Sequence, residues 1–251
     1  MDSIQTLRQN QIALYKMDTD QTLRPVSAES ITSDNFDPSR LVFHINSSKD
    51  IRGHQDGRYV RVLIRYADAN LPLVDHPLII ETGKIRSYGV KECPTTIRDR
   101  SSYSMCLRFN KDDPCVLILN TVEAEVKKYI IDHMDDLRGV VQHKTKLKFE
   151  LENTASFFYK PKDIVRSTNK SLYTKLLTKY QRGDRPEVMT NFFDIHGNMV
   201  DARSLLDRKC QVIAALTIDN VFISSSGIVS MQTRLNDAIV FDIEQTSLLC
   251  L

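Results

Sequence analysis

The stretch from Arg58 to Tyr66 constrains the fold of this chain more than any other. Val60, Val62, Ile64 and Tyr66 alternate with Tyr59, Arg61, Leu63 and Arg65. A period of two is the repeat of a strand, whose successive side chains point to opposite faces. The first set is therefore predicted to lie on a core. The second set, which mixes rings and guanidinium groups, is predicted to face away from it.

Shorter stretches repeat the pattern. Leu41–Ile45, His76–Glu81 and Tyr103–Phe109 read as strands, with a turn at Thr82-Gly83 leading into Lys84–Tyr88. Lys144–Leu151 alternates, with Leu147, Phe149 and Leu151 on one side. Val188–Phe193 reads as a strand ended by the turn at His196-Gly197-Asn198. Cys210–Ile223 and Ile228–Ile243 are apolar runs of strand type, joined through Ser224-Ser225-Ser226-Gly227 as a hairpin. The best helix is predicted over Thr121–Leu137, with Asn120 as N-cap, Glu123 completing a capping box and Gly139 as the stop. A short helix is expected around Leu172, Leu176 and Leu177. Many short strands with one good helix predict a mainly β, α+β protein built on a small barrel or sandwich. Residues 1–40 read as a polar N-terminal arm, 41–241 as a single domain, and 242–251 as an apolar C-terminal tail.

The composition, 41% apolar and 26% charged over 251 residues, suits a folded core. No run approaches the roughly 18 consecutive apolar residues of a membrane span, and the polar N-terminus has no secretory h-region. The five cysteines are scattered without a CxxC pair. This predicts reduced thiols in a cytosolic or nuclear setting, with no disulfide framework and no zinc site. Phosphate-loop, dinucleotide-binding, nucleophile-elbow and zinc-protease motifs are missing. The six histidines stand singly. Asp132, Asp135 and Asp136 read as a solvated helix end, and Asp75, Glu81 and Lys84 have the wrong spacing for a metal-dependent nuclease. No catalytic residue, metal or cofactor is expected.

Net charge is +2, but it is unevenly spread. Residues 144–185 hold eleven lysines and arginines against four acidic residues, which leaves the rest of the chain mildly acidic. Such asymmetry fits a polyanion footprint or a solvated basic face. Rings are interleaved with these charges. Single-strand binders use a cationic groove for phosphates and exposed rings for stacking on bases. The candidate contacts are Tyr59, Arg61, Arg65, Lys84, Arg86, Tyr88, Arg108, Phe158, Tyr159, Lys160, Lys162, Lys170, Tyr173, Lys175 and Lys179.

Three segments carry a family resemblance. Residues 77–90 (PLIIETGKIRSYGV) resemble the PLLIQTPKMRxxFGV strand–turn–strand of proteins found across nucleocytoplasmic large DNA viruses. Tyr103–Phe109 sits where that family has YSLDLSF, and residues 218–240 resemble IxxIWFxxxxFGISLQVKLxxAVV. Gly83 replaces a proline, Tyr88 a phenylalanine, and Val221-Phe222 an aromatic pair. The resemblance implies an OB-like β-barrel, single-stranded DNA binding and a role in viral DNA replication, recombination or repair, in host cytoplasm or nucleus. Lys84 and Arg86 match its basic positions; the candidates in 144–185 rest on charge and rings alone. The expected partner is single-stranded DNA, with RNA left open, together with self-association along the strand and no membrane. The competing reading is a structural or scaffold protein of a virion or replication complex, and a third is an enzyme such as a nuclease.

Overall fold

The computed structural model describes residues 31–48, 59–69, 71, 74–94, 101–137, 140–159, 169–179 and 186–243. The elements are, in chain order, β1 (Leu41–Ser48), β2 (Tyr59–Ala67), β3 (Asp75–Glu81), β4 (Ile85–Pro94), β5 (Ser101–Asn110), α1 (Pro114–Asp132), α2 (Lys144–Phe149), β6 (Phe158–Tyr159), β7 (Asn169–Leu176), β8 (Thr178–Lys179), β9 (Glu187–Val188), β10 (Asn191–Phe193), β11 (Cys210–Ser224) and β12 (Val229–Phe241). The protein is mainly β with two α-helices among the described residues, an α+β arrangement.

β11 is the spine. Its first residues pair with β4, its middle with β3 and its end with β2, all antiparallel. Its other edge runs antiparallel along β12. A fifteen-residue strand is long enough to serve three partners in succession. The break between β3 and β4 falls at Thr82, which is buried and bridges the gap: its amide donates to Ala214 O at 3.0 Å and its hydroxyl accepts from Ala214 N at 2.9 Å. β4 pairs with β5, β5 with β7, and β7 with β12 in parallel, so the pairings β11–β4–β5–β7–β12–β11 form a circuit.

One apolar cluster fills the interior. The predicted alternation in β2 holds: Val60, Val62, Ile64 and Tyr66 are buried in the cluster while Arg61 is exposed. Met105, Leu107 and Phe109 of β5 join them, as do seven residues of α1.

Several expectations are corrected. α1 begins at Pro114, not Thr121, because the Asp113 carboxylate accepts from Cys115 N at 2.9 Å and Pro114 lacks only an N–H that the first turn does not use. Asn120 and Glu123 lie inside the helix; Glu123 holds Lys127, the Ser156 hydroxyl and Phe157 N. The helix also ends earlier than expected, at Asp132 with His133 as its cap, short of Leu137 and of the predicted stop at Gly139, which itself lies outside the described residues. Residues 144–149 are helical, not a strand. Leu147 and Leu151 are buried, but Phe149 between them is 59% exposed, as one helical turn requires and a strand does not allow. The reverse holds at β7, where a helix was expected: Leu172, Thr174 and Leu176 all point inward along a strand paired to β5. Residues 188–193 are split between β9 and β10.

The last ten residues of the expected N-terminal arm are packed. Ile31 is buried and exchanges backbone hydrogen bonds with β3, Phe36 stacks on Tyr66, and the Arg40 guanidinium lies 4.3 Å from the same ring. Residues 1–30 and 244–251, most of the arm and tail, lie outside the described set.

Candidate nucleic-acid interface

Alternation places one row of side chains on the outer face of the circuit. On β7, Tyr173 and Lys175 point out; on β5, Ser104, Cys106 and Arg108 share that face, because register pairs Cys106 with Tyr173 and Ser104 with Lys175. Lys175 is in turn level with Arg234 of β12, and Arg234 with Thr217 of β11. Arg61 of β2 is level with Phe222 of β11. The positions lie on β4, β5, β7, β12, β11 and β2, and between Thr217 and Phe222 the row steps about 16 Å along β11, so it runs obliquely across the strands.

Rings and cations alternate along it. Tyr159 of β6 and Tyr173 meet edge to face with centroids 5.7 Å apart, and both stay more than half exposed. At one end Tyr59 tilts on Phe222 at 5.2 Å, with the Arg61 guanidinium 5.1 Å from the Tyr59 ring. At the other end Arg108 donates to the Tyr88 hydroxyl and lies 5.5 Å from its ring. Arg234 Nη2 donates to Asp219 Oδ2 at 2.6 Å in the middle. Burial, then the fields of Arg234 and Arg61, lower the Lys175 pKa against the pull of Asp219. Burial raises the Cys106 thiol, which lies beneath Tyr173 and Ser171. Burial likewise raises the Tyr173 phenol.

Beyond Arg108 the row runs into a cleft of about 690 Å³ whose lining includes Lys84, Arg86 and Lys209. Gly89 shapes this end. Its φ of +78° and the Leu205 and Arg208 carbonyls against it leave no room for a side chain. The Ser87 hydroxyl braces the same bulge, accepting from Gly89 N at 3.0 Å and donating to Cys106 O at 3.0 Å.

The candidates therefore divide. The structure brings together Tyr59, Arg61, Tyr159, Tyr173, Lys175, Arg108 and Tyr88 on the row, and Lys84 and Arg86 at its cleft. Arg65 shares the face of β2 and is level with Pro77 of β3, on the side of β2 toward that strand. Phe158 is corrected: it is buried edge-on against Phe109, so its ring is core. Lys170 is corrected with it, because strand parity turns it to the opposite face, where its ammonium lies 4.7 Å from the Phe158 ring and donates to Asn120. Lys179 belongs to the separate β8–β9 pair, level with Glu187. Lys160 and Lys162 lie outside the described residues.

Arg234 and Phe222 were missed. Both lie in runs read as apolar, and the alternation of Thr233 and Leu235 inward marks Arg234 as outward. Among the described residues no group of three or more His, Cys, Asp or Glu is placed to hold a metal, and Asp75 is paired with His44 at 2.7 Å. No helix among them is long and apolar enough to cross a membrane.

The family described as a protein of unknown function (DUF2738) matches residues 38–248. The chain belongs to this DUF2738 family. Uncharacterized protein 007R of Invertebrate iridescent virus 3 is 27% identical over 184 residues, which cover 68% of this chain and 37% of that protein. The chain thus corresponds to little more than a third of that relative's length. Among solved structures, gp2.5, a single-stranded DNA binding protein encoded by bacteriophage T7, overlaps with a TM-score of 0.43 at 8% identity, covering 69% of this chain and 96% of that one. The single-stranded DNA-binding protein from bacteriophage Enc34, in complex with ssDNA, overlaps at 0.34 and 9% identity, covering 80% and 97%. Overlaps this loose carry neither fold nor ligand across to the DUF2738 chain.

Proposed function

We propose that the chain binds single-stranded DNA without sequence preference along this row, on an OB-like β-barrel, and does no chemistry of its own. The carrying observation is the alternation of rings, exposed at Tyr159 and Tyr173 and half-buried at Tyr59 and Tyr88, with cations across the sheet: Tyr59 with Arg61, then Arg234 and Lys175, then Tyr173 with Tyr159, then Arg108 with Tyr88. Cations spaced along a face neutralise successive phosphates and release counterions. Rings between them stack on bases, worth roughly 1–3 kcal/mol each, and every base offers a face. The pairing circuit with one parallel junction, β7–β12, supports the barrel reading. A viral setting and service to unpaired strands during replication, recombination or repair, in host cytoplasm or nucleus, complete the proposal. Self-association along the strand is part of it.

Fluorescence anisotropy of labelled oligo-dT, at low and high salt and with duplex of equal length as competitor, tests this reading. Binding that prefers the single strand and falls steeply with salt is expected. No binding at low salt would discard it in favour of a non-enzymatic scaffold protein. Metal-dependent loss of the labelled strand would instead show a nuclease.

A further inference from the structure

The cleft at the β4–β5 end differs in kind from the rest of the row. Along the row, cations are spread over separate strands with exposed rings between them. In the cleft four converge: Lys84 from the turn after β3, Arg86 from β4, Arg108 from β5 and Lys209 from the segment leading into β11. Two carboxylates, Asp113 and Asp242, line the cleft with these four cations. Asp113 is already spent as the N-cap of α1, where it faces the positive end of the helix dipole. The Lys84 ammonium lies 4.3 Å from the Phe241 ring, a contact that orients the charge and leaves it uncancelled. Arg108 is steadied by the Tyr88 hydroxyl and ring.

A phosphodiester carries one negative charge, whereas a phosphate monoester carries between about 1.5 and 2 near neutrality. Cations gathered in a walled site favour the more highly charged group more strongly than cations spread on an open face do. The cleft volume, about 690 Å³, admits a nucleotide-sized group. We infer that this cleft takes a phosphate monoester at one end of the bound strand, so that the protein recognises strand ends as well as strand length. The inference rests on the strand-binding reading above. A free nucleoside monophosphate offers the same chemistry, and the test separates the two sources.

The full chain is titrated with labelled oligo-dT in three forms: hydroxyl at both ends, phosphate at the 5′ end, and phosphate at the 3′ end. One phosphorylated form is expected to bind about tenfold tighter than the hydroxyl form. Lys209→Ala is expected to collapse that ratio, measured within the variant. Added dTMP is expected to erase the advantage without displacing the hydroxyl-ended strand. Equal binding of all three forms would overturn the inference and leave the strand-binding reading intact. Equal binding of the three forms together with direct calorimetric binding of dTMP would overturn it too, assigning the cleft to free nucleotides. Failure of every oligonucleotide would remove the strand reading and the inference with it.

Discussion

Asp219 and Arg234 form an ion pair in the middle of the row, Nη2 to Oδ2 at 2.6 Å, with Lys175 beside them. A carboxylate at this point repels phosphate and holds one of the cations that would otherwise meet it. Its presence tempers affinity. Asp219→Asn is expected to tighten oligo-dT binding by about two- to fivefold at low salt, an effect that shrinks as the Debye length shortens. With Arg234 nearly half exposed, the pair itself is worth only about 0–1 kcal/mol to folding. Anisotropy and thermal melting of the variant measure both. Unchanged or weaker binding would place the bound strand elsewhere.

The rings at residues 158, 159 and 173 are expected to behave differently although two are neighbours in sequence. Tyr173→Ala and Tyr159→Ala remove exposed surface and should cost roughly 1–3 kcal/mol of binding each, with little change in melting temperature. Because the two rings touch, the double variant should lose less than the sum. Phe158→Ala empties a core position against Phe109 and should cost about 3–5 kcal/mol of stability. Urea denaturation beside the binding titration distinguishes these outcomes; a destabilised Tyr173→Ala would mark that ring as structural.

Lys175 provides a pH signature. Although the side chain as a whole is exposed, partial desolvation of the ammonium among its neighbours, aided by Arg234 and Arg61, lowers its pKa from 10.5, so in the free protein it loses its charge at a lower pH than an ordinary lysine. A bound phosphate stabilises the ammonium and raises that pKa again, so at pH values around the lowered pKa binding takes up a proton. Affinity is expected to be flat below the lowered pKa and to fall as pH rises through it. Lys175→Arg keeps the charge throughout and should flatten that fall. If wild type and Lys175→Arg decline in parallel, the titrating group is another one.

Gly89 links the cleft to the fold. Gly89→Ala would set a β-carbon against the Leu205 and Arg208 carbonyls in a left-handed conformation. The expected loss is about 2 kcal/mol or more of stability, read by denaturant midpoint. A variant that melts like the wild type would show that the 205–208 segment yields freely.

Much of the β framework was legible in the sequence because alternation is a local signal. β2, β3, β5, β11 and β12 lie where their patterns place them, and the outward set Tyr59 and Arg61 follows from the same parity. The row itself was only partly legible. Exposed Tyr173 and Lys175 were named from clustered charge and rings, yet the same criterion admitted Phe158 and Lys170, which the fold turns inward or to the opposite face.

The sequence alone determined which segments alternate, and so that this chain builds a sheet with one apolar and one polar face. Only the tertiary structure decided two things. The first is the ambiguity of leucines four residues apart, a spacing equal to two strand repeats and close to one helical turn. For Leu147 and Leu151 the intervening Phe149 points out and the segment is helical; for Leu172 and Leu176 the intervening Thr174 points in and the segment is a strand. The second is which outward residues meet. Register between strands far apart in sequence brings Arg234 level with Lys175 and Phe222 level with Arg61, and no local pattern encodes that pairing because it arises from packing the whole core.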